Sequence, residues 1–104
     1  VGVCGDLKKS ISYLRKAVAR EPSRIEYKKD LAVSLICHGQ REDKPGRIEE
    51  GKKILASLAS MPSVKKTDDI DKQHAKMILA DLSLACGYSR DGQQEQSQEA
   101  YRQK

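Results

Sequence analysis

Residues 46–62 read GRIEEGKKILASLASMP, and residues 5–22 read GDLKKSISYLRKAVAREP. In both stretches a small residue follows the first glycine by five positions, a leucine follows four positions later, and a proline closes the stretch. Apolar residues recur between these marks at intervals of three and four, which places them on one face of an α-helix. Because the residue before a proline is disfavoured in helical backbone, each helix ends ahead of its proline. The two stretches therefore predict two similar helices.

The same periodicity extends to the rest of the chain. The predicted helices span residues 6–20, 24–38, 47–60 and 68–88 or 89, and a fifth follows residue 92. Ser23 and Glu26 have the spacing of a capping box at the start of the second helix, and Gly39 predicts a left-handed stop at its end. The fourth helix is expected to be the longest. Acidic residues between positions 68 and 71 complement the positive end of its dipole.

One glycine lies inside a predicted helix. Gly51 belongs to the third helix, where a glycine costs about 1 kcal/mol relative to alanine. We expect this glycine to allow the close approach of a neighbouring helix.

The composition indicates an all-α protein. The chain has 104 residues, of which 34% are charged and 4% are aromatic, with no tryptophan or phenylalanine. A sandwich or barrel would need more β-branched and aromatic residues in its strands. No apolar run approaches the ~18–20 residues that span a bilayer. Since no charged-then-apolar pattern opens these residues, we expect no signal for secretion. Because the chain begins with valine, we expect it to be a fragment of a longer protein.

The net charge of +5 arises at the amino-terminal end of the chain. Residues 1–29 hold eight basic and three acidic side chains, whereas the remaining residues are balanced. We define the basic patch as these side chains: Lys8, Lys9, Arg15, Lys16, Arg20 and Lys28. It is either a solvated helix face or a surface for an acidic partner or nucleic acid. Tyr13 and Tyr27 are the aromatic side chains near it that could stack on bases.

The sequence holds no catalytic or metal-binding constellation. Cys4, Cys37 and Cys86 lie far apart among apolar residues and form no C-x-x-C pair. They are therefore expected to be buried free thiols in a reducing compartment. Neither His38 nor His74 has a histidine or cysteine four residues further on, so no helical metal pair forms. We expect no cofactor, no metal, no enzymatic activity and a cytoplasmic location.

The order of the glycine, small, bulky and proline residues in these helices resembles that of the tetratricopeptide repeat (TPR) family. The second helix of that repeat carries a glycine, a small residue, a bulky residue, an alanine and a proline. The best match here is Gly5, Ser10, Leu14, Ala17 and Pro22. The first helix of the repeat carries a leucine, a small residue, a tyrosine-like residue and a glycine. The matches are Leu31, Ala32, Leu35 and Gly39, and again Leu84, Ala85, Tyr88 and Gly92. The chain departs from the family at the first-helix tryptophan, where Lys28 and Asp81 stand, and in two longer connections.

The resemblance implies antiparallel helix pairs stacked as a short TPR-like superhelix of about five helices. Residues 1–104 would form a single TPR-like helical repeat domain. Within it, residues 1–22 are a half repeat, residues 23–62 are a repeat with an extended loop at 40–46, and residues 68–104 are a repeat with an elongated first helix.

The resemblance also implies a binding surface, because TPR proteins bind peptides or helices on their concave face. The residues that match this concave face are Glu26, Lys29, Val33, Ile36, Leu79, Leu82 and Cys86. Some members clamp a terminal carboxylate with Lys, Asn and Arg, but here Asp30 replaces the asparagine and leucines replace later basic residues. An amphipathic helix or an apolar peptide therefore fits better. The other interpretation is that flanking repeats cover these apolar residues.

The expected function is a non-catalytic scaffold that binds a peptide or amphipathic helix of a protein partner on its concave face. Two alternatives stay open. One is a structural module of a larger protein that associates with its own kind, and the other, ranked below it, is a basic helical module that binds nucleic acid.

Overall fold

The computed structural model describes residues 3–87, with side chains described from Leu7 onward. The helices are α1 (Val3–Arg20), α2 (Ile25–Arg41), α3 (Pro45–Leu58) and α4 (Lys66–Ala80), followed by a 3₁₀ turn (Leu82–Leu84). This part of the chain contains no strand, which confirms the all-α prediction. None of its helices combines the length and the apolar character that crossing a membrane requires. The predicted fifth helix lies outside the described residues.

α2 is the central helix, because it packs against α1, α3 and α4, and most extensively against α3. Its apolar side chains point in several directions, as expected for a helix that is covered on more than one side. One part of the core joins α2 to α3 and α4, and includes Ile36, Leu55 and Ile78. The other part joins α2 to α1, through Leu35 and Ile11.

Gly51 lets α3 lie close to α2. A Cβ atom at Gly51 would lie 2.5 Å from Ile36 Cγ1 and 2.7 Å from the carbonyl oxygen of Ala32. The close approach predicted from this glycine is confirmed.

Gly39 has a different role from the one predicted. The prediction of a left-handed stop is wrong, because α2 continues to Arg41 and no glycine among the described residues has a positive φ. A Cβ atom at Gly39 would lie 2.8 Å from the carbonyl oxygen of Lys44 and 3.0 Å from the backbone nitrogen of Ile48. The left-handed position falls on Asp43, at φ 55°, and aspartate tolerates this region better than most residues.

The connection between α1 and α2 confirms one prediction from the sequence and contradicts another. α1 ends at Arg20, ahead of Pro22, as predicted. The capping box at Ser23 is wrong, because Arg24 occupies the N-cap position and no side chain caps the helix there. The Arg24 guanidinium donates to Glu21 at 3.2 Å and to Glu26 at 2.6 Å. Glu26 therefore forms an ion pair with Arg24 in place of the predicted capping box.

α4 is shorter than predicted. It ends at Ala80 because Asp81 adopts an extended backbone (φ −147°, ψ 93°). The Asp81 carboxylate accepts hydrogen bonds from the backbone N–H and the hydroxyl of Ser83, at 3.1 Å and 2.6 Å. An aspartate that bonds its own backbone neighbours competes with helix continuation. α1, with 18 residues, is therefore the longest described helix.

A disulfide joins Cys37 of α2 to Cys86, which lies 49 positions later in the turn after the 3₁₀ segment. The expectation of free thiols is wrong for this pair. The break after Ala80 turns the chain back over α2, where the Gln40 side chain donates to the carbonyl oxygen of Leu82 at 2.9 Å. The side chain of Cys4 lies outside the described residues.

Candidate functional site

The apolar residues predicted for the concave face lie in and around the core. Val33 and Ile36 are buried between α2, α3 and α4. Leu79 and Leu82 are partly buried and pack against the same cluster. Cys86 is bonded to Cys37. These side chains hold the described helices together instead of presenting one accessible apolar face.

The charged residues predicted for that face, Glu26 and Lys29, take part in ion pairs between α2 and the region of α4. Lys29 Nζ lies 3.0 Å from a carboxylate oxygen of Asp71, and both side chains are only 12% exposed. Glu26 lies 3.5 Å from Lys65 Nζ. The hydrogen bond from Arg24, and then the nearby charges of Arg24 and Lys65, lower the pKa of Glu26, while burial opposes them. These groups tie α4 to α2.

Part of the basic patch forms a stripe along α1. Lys9, Tyr13, Lys16 and Arg20 follow one another at intervals of four, three and four residues, which aligns them on one helical face. All four are exposed. Four apolar residues with the same intervals lie on the opposite face, toward α2: Leu7, Ile11, Leu14 and Val18. The stripe extends from Lys9 to Arg20, over about 16 Å of helix.

Other members of the basic patch stand apart from this stripe. Arg15 makes two hydrogen bonds to Glu50 of α3, at 2.7 Å and 3.1 Å. This pairing raises the pKa of Arg15 and lowers the pKa of Glu50. Lys8 is exposed and Lys28 is half-buried. Arg15 therefore joins α1 to α3 and does not belong to the stripe.

A cleft opens where the end of α1 meets the start of α2. We call it the tyrosine cleft, and its lining residues are Tyr13, Lys16, Ala17, Arg20, Glu21 and Tyr27. Its volume is about 110 Å³. The Tyr13 side chain is 68% exposed, although tyrosine buries a large apolar ring when it can. The spacing of the stripe is visible in the sequence, whereas the approach of Tyr27 to Tyr13 depends on how the turn at Pro22 folds.

The electrostatics of the tyrosine cleft are set by three cations and two carboxylates. The Arg24 guanidinium lies 4.7 Å from the centroid of the Tyr27 ring and holds Glu21 and Glu26 in ion pairs. Within residues 7–87, Lys16 and Arg20 form no ion pair. Their charges are therefore available to an anionic group that enters the cleft.

Three other titratable groups have pKa values that their surroundings lower: His38, His74 and Asp68. Burial, and next the charge of Arg47, lowers the pKa of His38, which is 3% exposed near the end of α2. Burial, and next the charge of Lys29, lowers the pKa of His74. The Asp68 carboxylate accepts the backbone N–H groups of Val64 and Lys65 at 2.8 Å and 2.9 Å. Over the described ranges no group of acidic, histidine or cysteine side chains could hold a metal ion.

Comparisons of the chain with protein-family models, with curated proteins and with solved structures find no match.

Proposed function

We propose that the domain is a non-catalytic protein-binding scaffold and that the tyrosine cleft is part of its binding surface. The observation that carries this proposal is a solvent-reachable cleft between two tyrosines, one of them 68% exposed. Tyrosine is enriched among the residues that contribute most to protein–protein binding, because it combines a large apolar ring with a polar tip. Both tyrosines stand on helices, α1 and α2, and a tyrosine side chain has only two χ angles to order on binding.

A TPR-like stacking of helix pairs remains part of this proposal. It is supported by the packing of α2 on α3 at Gly51 and Ala32, because the TPR resemblance assigns both of these positions to small residues. It is also supported by the contacts that α2 makes with α1 and α4, its neighbours on either side. A fifth helix would continue such a stack. Binding on the concave face stays a prediction, and Glu26 and Lys29 are its charged candidates.

Site-specific photocrosslinking tests the proposal. The chain would carry p-benzoylphenylalanine in place of Tyr13, or in place of Val64 as the control, and would be irradiated in a lysate of the organism that makes it. Val64 is 83% exposed, lies before α4 and does not line the cleft. We expect a discrete protein adduct from position 13 and none of the same size from position 64. Adducts that nuclease removes, or no adduct at position 13, would contradict the proposal.

Self-association is the second candidate function, and the outer face of α4 favours it. Ile70 and Met77 are 51% and 55% exposed and lie seven residues apart, on one side of the helix. Leu84, in the 3₁₀ turn that follows α4, is 39% exposed. Light scattering over a range of concentrations tests this function. A mass that rises to that of a dimer, and stays monomeric in Met77→Glu, would support it.

The cytoplasmic location inferred from the sequence stays a prediction. That prediction depends in part on the expectation of free thiols. The structure instead has a disulfide between Cys37 and Cys86, and disulfides persist mainly in oxidising compartments. Alkylation of thiols in freshly lysed cells, followed by mass spectrometry, measures the fraction of the pair that is oxidised where the protein resides. A reduced pair would support the cytoplasm, and an oxidised pair would contradict it.

A further inference from the structure

The size of the tyrosine cleft limits what can occupy it. Its volume of about 110 Å³ is well below the ~300–1,000 Å³ of pockets that enclose drug-sized ligands. The cleft can take one side chain, and Tyr13 and Tyr27 are the aromatic residues that line it. Aromatic rings pack favourably against other aromatic rings in stacked or edge-to-face arrangements. An aromatic side chain of a partner is therefore the best-matched occupant.

The charged residues that line the cleft indicate which partner residues would flank the anchored aromatic side chain. Lys16 and Arg20 line the cleft and are exposed. Glu21, which also lines it, is paired with Arg24. Carboxylates next to the anchored ring could pair with Lys16 and Arg20 without displacing an ion pair of the described chain. Lys9 extends the same charge along α1, within the ~16 Å of the stripe.

The same charges favour a protein segment over a nucleic acid. Glu21 and Glu26 are already paired, with Arg24 and with Arg24 and Lys65 respectively, which leaves the charges of Lys16 and Arg20. One or two carboxylates match those charges. A nucleic acid brings a phosphate with every nucleotide, and its binding depends on many cations that neutralise phosphates together.

We propose that the tyrosine cleft anchors one aromatic side chain of an acidic protein segment, whose carboxylates pair with Lys16 and Arg20. This inference rests on the proposed function, because it names the chemistry of the protein partner. A protein adduct at position 13 without affinity for acidic probes would contradict this inference and leave the scaffold function intact.

Fluorescence anisotropy with three labelled probes tests the partner chemistry. The probes are a random copolymer of glutamate and tyrosine, poly-glutamate of matched length, and oligo-thymidylate of about 20 nucleotides. We expect the copolymer to bind about tenfold more tightly than poly-glutamate, because only the copolymer supplies the aromatic anchor. Its affinity should fall as salt is added, because the carboxylates pair with exposed cations. Equal affinity for the two acidic probes, or tighter binding of oligo-thymidylate, would overturn the inference.

Matched variants locate the binding on the surface. Lys16→Glu combined with Arg20→Glu should weaken copolymer binding about tenfold or more, and Tyr13→Ala should weaken it about fivefold to tenfold. Tyr13→Phe should retain most of the affinity. Lys76→Glu is the control, because it reverses an exposed charge on α4. Circular dichroism checks that each variant is folded. The single variant Lys16→Glu changes the net charge by the same amount as Lys76→Glu. Equal losses in these two single variants would show that only net charge matters, and would overturn the inference.

Discussion

α2 contacts α3 and α4 in two different ways. Against α3 it packs backbone to backbone, with Gly51 beside the carbonyl oxygen of Ala32 and Gly39 beside that of Lys44. Against α4 and the turn that follows, it adds polar and covalent links to the apolar core. These are the Lys29–Asp71 ion pair, the hydrogen bond from Gln40 to Leu82, and the Cys37–Cys86 disulfide.

The difference shows how two neighbouring contacts of one helix can depend on different physics. Close packing of the α2–α3 pair is sensitive to the addition of a single methyl group, because a dense interface has no room for it. The attachment of α4 depends in part on a disulfide, which a reductant can break, and on an ion pair, which is lost when one of its charges is neutralised. Each of the first three predictions below perturbs one of the two contacts and leaves the other in place.

The largest effect is expected from opening the disulfide. Cys37 and Cys86 are 49 positions apart, and a loop of that length gives about 4 kcal/mol in the chain-entropy model. The double variant Cys37→Ala/Cys86→Ala should lose stability of this order, measured by urea unfolding. Reductant should destabilise the parent protein and leave the double variant unchanged. Equal stability of the parent with and without reductant would mean that the disulfide contributes little.

Gly51→Leu is expected to be next in size. The new side chain would meet Ile36 and the backbone of Ala32, and overpacking of this kind costs about 1–3 kcal/mol. Gly51→Ala should also destabilise, although alanine favours helices by about 1 kcal/mol over glycine. Gly46→Ala is the control, since nothing lies within 4 Å of the added Cβ atom. A rise in melting temperature for Gly51→Ala would show that α2 and α3 can separate at little cost.

Neutralising Asp71 tests the other contact. Asp71→Asn removes the carboxylate that lies 3.0 Å from the Lys29 ammonium, where both side chains are 12% exposed, and leaves the Asp30 carboxylate at 4.0 Å. We expect a loss of about 1–3 kcal/mol. Glu49→Gln, which removes one partner of an exposed ion pair with Lys52 on α3, should change stability by less than about 0.5 kcal/mol. If both variants lose equally little, the Lys29–Asp71 pair does not anchor α4.

The smallest effect is the response to pH. The pKa values of His38 and His74 lie below the ordinary value of 6.5 in the folded protein. As the pH falls below about 6.5, the unfolded chain binds protons that the folded protein does not, so the free energy of unfolding decreases. The slope is at most about 1.4 kcal/mol per pH unit for each histidine.

Urea unfolding at about pH 7.5 and about pH 5.5 measures this response. His38→Gln should remove its larger part, because His38 is buried near the positive charges of Arg47, Lys44 and Lys8, with only Glu42 opposing them. His74→Gln should remove the rest. Stability that is equal at the two pH values would contradict the burial of both imidazoles.

The sequence predicted the helices better than their ends. The interval of apolar residues placed all four described helices, and Pro22 marked the end of α1 as expected. Two helix ends differ from the prediction because a polar side chain bonds a different partner from the one expected. Glu26 bonds Arg24 instead of capping α2 with Ser23, and Asp81 bonds Ser83 and stops α4. Such choices depend on the geometry of a few atoms, which residue spacing does not determine.

The candidate site was predictable only in part. The stripe of Lys9, Tyr13, Lys16 and Arg20 follows from their positions along α1. The place of Tyr27 beside it does not, because it depends on the path of the chain through the turn at Pro22. Val33 and Ile36 are apolar residues that the sequence could not assign to a groove or to a core, since both surroundings favour the same residue types.

The sequence by itself determined that this chain is helical, that Gly51 marks a close contact, and that its positive charge lies at the amino-terminal end. Those features follow from the periodicity and chemistry of neighbouring residues. The tertiary structure alone decided that Cys37 meets Cys86, that Lys29 meets Asp71, and that Tyr13 and Tyr27 border one cleft. The residues of each pair come from different parts of the chain, so these pairs arise only when the helices have packed around α2.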